Sequence, residues 1–167
     1  MKKRRKLVLA GAIFVVVAVV LWGGSAQLRD MKHTLGMNVA KGELVTDTDT
    51  HGGFHGDGVT YQVRQFDADT EPPTGEGWHP LPLSKNVEAL LYGHTEGNCT
   101  IGPLIGECEG DPFLPRIENG SYFILDRHAE STDPYDDREL FHRHSYNLTA
   151  ALYDADTHRL YYMELDT

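Results

Sequence analysis

The hydrophobic pattern of the chain changes its period twice, and each change predicts a different kind of element. Leu7 to Trp22 is an unbroken apolar run (LVLAGAIFVVVAVVLW) directly preceded by Lys2, Lys3, Arg4, Arg5 and Lys6. Continued through Gly23 to Ala26, such a helix reaches about 30 Å, the thickness of a bilayer's hydrocarbon core. The pattern predicts a transmembrane helix over 7–26 acting as a signal anchor, with the basic segment 1–6 cytoplasmic and everything after it outside the cytoplasm. Gly24 and Ala26 also suit a signal peptide cleaved after Ala26, and both readings export the same domain. Leu28, Met31 and Leu35 then recur at helical spacing ahead of Gly36, which reads as a short juxtamembrane stalk over 27–36 with a glycine cap.

Residues 37–167 carry shorter patterns. A weak strand signal runs from Asn38 to Val45, and Thr46 to Gly58 reads as a long loop of Asp, Thr, Gly and His. Val59, Tyr61 and Val63 alternate with Thr60, Gln62 and Arg64, the period-2 signature of a strand buried on one face. Four prolines between Asp67 and Pro82 exclude a helix or a central strand there. Ser84 as N-cap, Val87, Leu90 and Leu91 on one face and Gly93 as an αL stop predict an amphipathic helix. Asn119-Gly120 turns the chain into Tyr122 to Leu125, an interior strand, and Asp133 to Phe141 is expected to form a helical turn.

Ser145 to Tyr153 and Leu160 to Leu165 are joined by DADTHR and predict a β-hairpin, with Leu148 and Leu152 on its buried side. The fold class that follows is α+β: an N-terminal transmembrane helix, then one small extracytoplasmic domain over 37–167. That domain is expected to hold an antiparallel sheet of about four to six strands with one or two short helices on one face.

Charge narrows the partners. All 25 acidic residues follow the apolar run, whereas five of the 15 basic ones precede it, which leaves the rest of the chain with a net charge of −15. Such a surface repels nucleic acid, and suits a cation, a basic envelope protein or a neutral ligand, with the membrane as partner of the anchor. Cys99 and Cys108 are the only cysteines, and an exported compartment favours a disulfide between them. Their spacing matches neither zinc ligation nor a C-x-x-C redox pair.

Candidate chemistry concentrates in histidines. Asp49 to Gly58 (DTHGGFHGDG) places His51, His55 and Asp57 in one glycine-rich loop, all three of residue types that hold a divalent metal. His142 and His144 form an H-x-H pair that would share one face of a strand, and Asp126, His128 or Glu130 are conceivable further ligands. Against these stand a plain structural loop and carboxylate pairing by Arg127, Arg138 and Arg143. Asp154, Asp156 and His158 lack the central Gly and distal Glu of a calcium loop and read as turn chemistry. There is no G-x-S-x-G or S-x-x-K motif and no phosphate-binding glycine loop, so no catalytic residue is assigned.

The stretches NGSYFILDRHAEST, DPYDDRELFHRHSYNLT and ALYDADTHRLYYMELDT, together with DTHGGFHGDG, resemble small membrane-anchored proteins of Gram-positive gut bacteria, a group with no established activity. The resemblance implies a bacterial cell-surface setting, in which the N-x-S/T matches at Asn98, Asn119 and Asn147 are not glycosylation sites. The function expected is a membrane-tethered extracytoplasmic binding or interaction module. The alternative is a zinc-type metal-dependent enzyme or metal-binding protein using the His51/His55/Asp57 loop, with His142 and His144 joining if the fold brings them near.

Overall fold

A computed structural model describes residues 26–52, 56–97, 99–106, 111–128 and 133–167, which fall into two compact units, 1–40 and 41–167. In the first unit a helix, α1, runs over 26–35. Met31 and Leu35 are buried one turn apart, and Gly36, at φ 66°, takes the left-handed conformation that ends it. The expected fold class, headed by a transmembrane helix, is corrected here. Among the described residues no helix is long and apolar enough to cross a membrane. A helix over 26–35 reaches only about 15 Å, half the hydrocarbon thickness, and it carries Arg29, Asp30 and Lys32. Residues 7–25 of that expectation lie outside the described residues.

The second unit is built on a single six-stranded antiparallel sheet with the order β1-β2-β8-β7-β6-β3, beside a separate two-stranded hairpin of β4 and β5. The strands are β1 (Glu43–Asp49), β2 (Gly58–Gln65), β3 (Trp78–Pro80), β4 (His94–Glu96), β5 (Cys99–Ile101), β6 (Gly120–Asp126), β7 (Asn147–Asp154) and β8 (Arg159–Asp166). The unit's one α-helix among the described residues, α2 (Lys85–Tyr92), lies between β3 and β4 in the chain. Its Ser84 cap forms as the sequence predicts, with Oγ accepting from Val87 N at 3.1 Å. Its end does not: Gly93 has φ 72° but ψ −179°, because the chain leaves the helix straight into β4.

Register explains the core. Val59 pairs with Leu165 and Leu165 with Leu148; Tyr61, Met163, Ala150 and Ile124 form a second row, and Val63, Tyr161, Leu152 and Tyr122 a third. These rows cluster with Val87, Leu90 and Leu91 of α2 and with Ile105, Leu114 and Leu140. The packing is closed by Leu104 and Ile105, whose N–H groups both donate to Leu90 O at 3.0 and 3.2 Å and satisfy a carbonyl at the helix end.

Three local expectations fail for physical reasons. The loop expected from Thr46 begins as strand β1, since an edge strand exposed on both faces needs no apolar alternation to signal it. Asp133 to Phe141 forms successive single turns rather than a helical turn, with Asp136 N on Asp133 O, Leu140 N on Asp137 O and His142 N on Glu139 O. The β7–β8 hairpin is present, but β7 is buried on both faces. Ala151 lies in register between Phe123 and Tyr162, and such large neighbours on both sides shield the small side chains of a central strand.

Candidate functional site

The histidine-bearing loop condenses into a polar knot around His51. Glycine at 58 lets the two arms of the turn approach, since a Cβ there would sit 2.6 Å from the His51 backbone. Asp49 Oδ1 receives the His51 backbone N–H at 2.9 Å and lies 2.7 Å from the ring Nδ1. On the other side of the ring, Nε2 is 3.2 Å from Asp166 Oδ2, and Asp166 Oδ1 accepts from Arg127 Nη2 at 2.9 Å. Both ring nitrogens therefore face carboxylates, and the hydrogen bond from the backbone N–H, reinforced by the ring, holds the Asp49 carboxyl below its usual pKa. What the knot does is tie the end of β1 to the end of β8.

The other expected ligands that the structure describes take other partners or stay exposed. Asp57 is exposed, and His55 lies outside the described residues. His142 pairs its Nδ1 with Glu139 Oε2 at 2.6 Å, and His144 is exposed; both lie in bends before β7 rather than on a strand. Arg143 between them points inward, donating to the buried Asp126 carboxylate at 2.6 Å. Among the described residues no group of three or more His, Cys, Asp and Glu side chains could hold a metal ion. Asp154 accepts from Asp156 N at 2.9 Å and from Thr157 Oγ1 at 2.7 Å, the turn bonding expected there. The Cys99–Cys108 disulfide expectation falls outside the described side chains.

Sequence reasoning missed a cleft of about 670 Å³ on the helix side of the sheet. Ala89 and Gly93 of α2 and its end line one side, His94 and Ile101 of the β4–β5 hairpin another, and Leu104 and Phe141 complete the walls. Lys85, Asn86 and Glu88 stand at the rim. Close approach of hairpin and helix depends on Gly93, where positive φ is combined with the Ile101 carbonyl packed against the position a Cβ would take. Ile101 and Leu104 keep 44% and 36% of their surfaces exposed, so this wall is apolar and open to solvent. The available signal was their presence within a stretch of Gly, Pro and Thr that carries no periodic pattern to bury them.

Glu88 links the rim to the far side of α2. There it pairs with Arg116, whose guanidinium lies 4.1 Å from the centre of the Tyr92 ring. Burial pushes the Tyr92 phenol up to about 12, and its hydroxyl donates to Pro115 O at 2.8 Å. The helix end beside the cleft is thus held by fixed contacts rather than left free to close over it. Comparison with protein-family models, with curated proteins and with solved structures gives no match for this chain.

Proposed function

We propose that the 41–167 unit is a binding module whose ligand enters the cleft between α2 and the β4–β5 hairpin. The observation that carries this reading is the pairing of an apolar wall, Ile101, Leu104 and Phe141, with a few polar groups at its mouth. Pockets that take small molecules or peptide side chains share this composition and have volumes of about 300 to 1,000 Å³. Lys85 stands free of any carboxylate partner among the described ion pairs. It would receive the anionic end of a ligand whose apolar body lies along Leu104 and Phe141, a recognition unlike that of the acidic surface elsewhere.

The test is titration of the full-length chain with 8-anilinonaphthalene-1-sulfonate, which carries an apolar ring system and one sulfonate. Saturable one-to-one binding, with amide shifts at Ala89, Gly93 and Gly102, supports the reading. Ala89→Trp fills the cleft from the helix side and should abolish the binding while near-ultraviolet circular dichroism stays that of the folded protein. Equal binding by folded Ala89→Trp would remove the proposal.

A further inference from the structure

The four large hydrophobic residues that remain exposed among the described residues divide between two places: Ile101 and Leu104 at the cleft, Leu44 and Val45 on β1. β1 is an outer strand of the sheet, and among the described residues nothing pairs with its free edge. Thr46 alone in this strand is partly covered; the others are exposed. Val45 is the extra residue of a bulge between Leu44 and Thr46, so the regular part of the edge is Thr46 to Asp49.

The direction of the free backbone groups follows from one hydrogen bond. Thr50 N donates to Val59 O at 3.0 Å, which makes Thr50 and Val59 a hydrogen-bonded pair. Alternation along an antiparallel ladder then turns the N–H and C=O of Asp49 and Asp47 away from β2, toward the open edge. The side chains of these same two residues share one face of the sheet, in register with Gln62 and Thr60. Asp47 Oδ1 is engaged by Gln62 Nε2 at 3.0 Å and Asp49 Oδ1 by His51, so each carboxylate keeps its Oδ2 for an incoming donor.

We propose that β1 is a docking edge for an extended basic segment of another protein, which adds as a further antiparallel strand. Its Lys or Arg residues stand at alternate positions opposite Asp47 and Asp49, with an apolar residue between them. Charge decides against a second copy of this chain as the occupant: antiparallel pairing of β1 with itself through its outward-facing groups sets Asp47 opposite Asp47 or Asp49 of the second copy, carboxylate against carboxylate. Main-chain bonds supply attachment, the alternate carboxylates supply the choice of partner, and Leu44 and Val45 supply apolar contact at one end.

The probe is the acetylated and amidated peptide Lys-Val-Lys-Val-Lys, titrated into the full-length chain at low salt, with Glu-Val-Glu-Val-Glu as control. Binding of the basic peptide alone, with amide shifts centred on residues 46–50, is the expected result. Asp47→Pro removes an N–H that faces outward and should abolish binding in a protein that still melts cooperatively, at a lower temperature because the buried Gln62 loses its acceptor. Asp47→Asn keeps the backbone and should weaken binding by about two- to fivefold, a loss that added salt reduces. Ala89→Trp in the cleft should change nothing, which separates this proposal from the preceding one. The proposal is overturned if the two peptides behave alike, if folded Asp47→Pro or Asp47→Asn binds as the wild type does, or if Ala89→Trp abolishes the binding. A dimer in sedimentation that Asp47→Pro dissociates would overturn it in favour of a second copy.

Discussion

β8 and β1 belong to one sheet and differ by a single residue in length, yet five of the eight residues of β8 are buried and none is exposed, whereas six of the seven residues of β1 are exposed. β8 pairs along its whole length with both β2 and β7, whereas β1 pairs only with β2 and bulges partway. The same backbone geometry thus does opposite things. In the centre each side chain is enclosed by neighbours on two strands, and the burial stabilises the fold; at the edge the backbone and its carboxylates stay available to another chain.

The strongest way to break this contrast is to delete β8. Ending the chain after His158 leaves β2 and β7 without a shared partner and opens all three core rows, so the product should show no cooperative melt. A folded, cooperatively melting product would mean that the centre does not carry the sheet. The next largest effect is Leu152→Ala, fully buried between Tyr161 and Tyr122 in register. It should cost about 2 to 5 kcal/mol in urea unfolding of the full-length chain, whereas Val45→Ala on the edge should cost less than about 0.5 kcal/mol. Equal losses would erase the distinction between the two strands.

The centre was far easier to read from sequence than the edge. Leu148, Ala150 and Leu152 against Tyr161, Met163 and Leu165 repeat at period 2 with turn residues between, and burial of one face is what such alternation encodes. The second buried face was not legible, because Thr149, Ala151 and Tyr153 take their shielding from Phe123, Tyr162 and Leu160 on other strands, and register is a long-range property. β1 offered Thr-Asp alternation with no apolar side, which reads as loop by composition. The cleft was hidden for a related reason: Leu104 and Phe141 stand far apart in the chain and meet only through the packing of α2. His51 was legible as a site of polar chemistry, but its partner Asp166 comes from the far end of the last strand.

A third measurement sharpens the contrast through alkali. Burial raises the phenol of Tyr162, in the centre, far above its usual range, with the Glu164 charge adding to the shift, while the hydroxyl donates to Glu164 Oε1 at 2.6 Å. A raised folded-state pKa gives stability that is complete below the unfolded value, about 10, and is lost as the pH climbs toward the folded one. Wild-type stability should therefore fall from about pH 10 upward. In Tyr162→Phe that fall should be shallower, after an initial cost of about 1 kcal/mol at neutral pH for the lost hydrogen bond. Identical alkaline slopes in the two proteins would show that the phenol is not held neutral in the sheet.

Acid should act at the opposite place and more weakly. Asp49 at the end of β1 has its carboxyl pKa lowered, first by the His51 backbone N–H and then by the ring, and its side chain is 59% exposed. A depressed folded-state pKa gives stability that is present above the unfolded value, about 3.9, and lost as the pH falls through the folded one. Because solvent screens so exposed a group, the loss should amount to no more than a few tenths of a kcal/mol. It is measured as the change in urea midpoint between pH 6 and pH 3, which should be slightly larger in the wild type than in Asp49→Asn. High salt reduces the ring's share of that difference and spares the share made by the backbone N–H, so a residual difference in 1 M salt is the expected result. Its complete disappearance would place the anchoring of this edge in charge attraction alone and leave the turn around His51 without its hydrogen-bonded hold on β1.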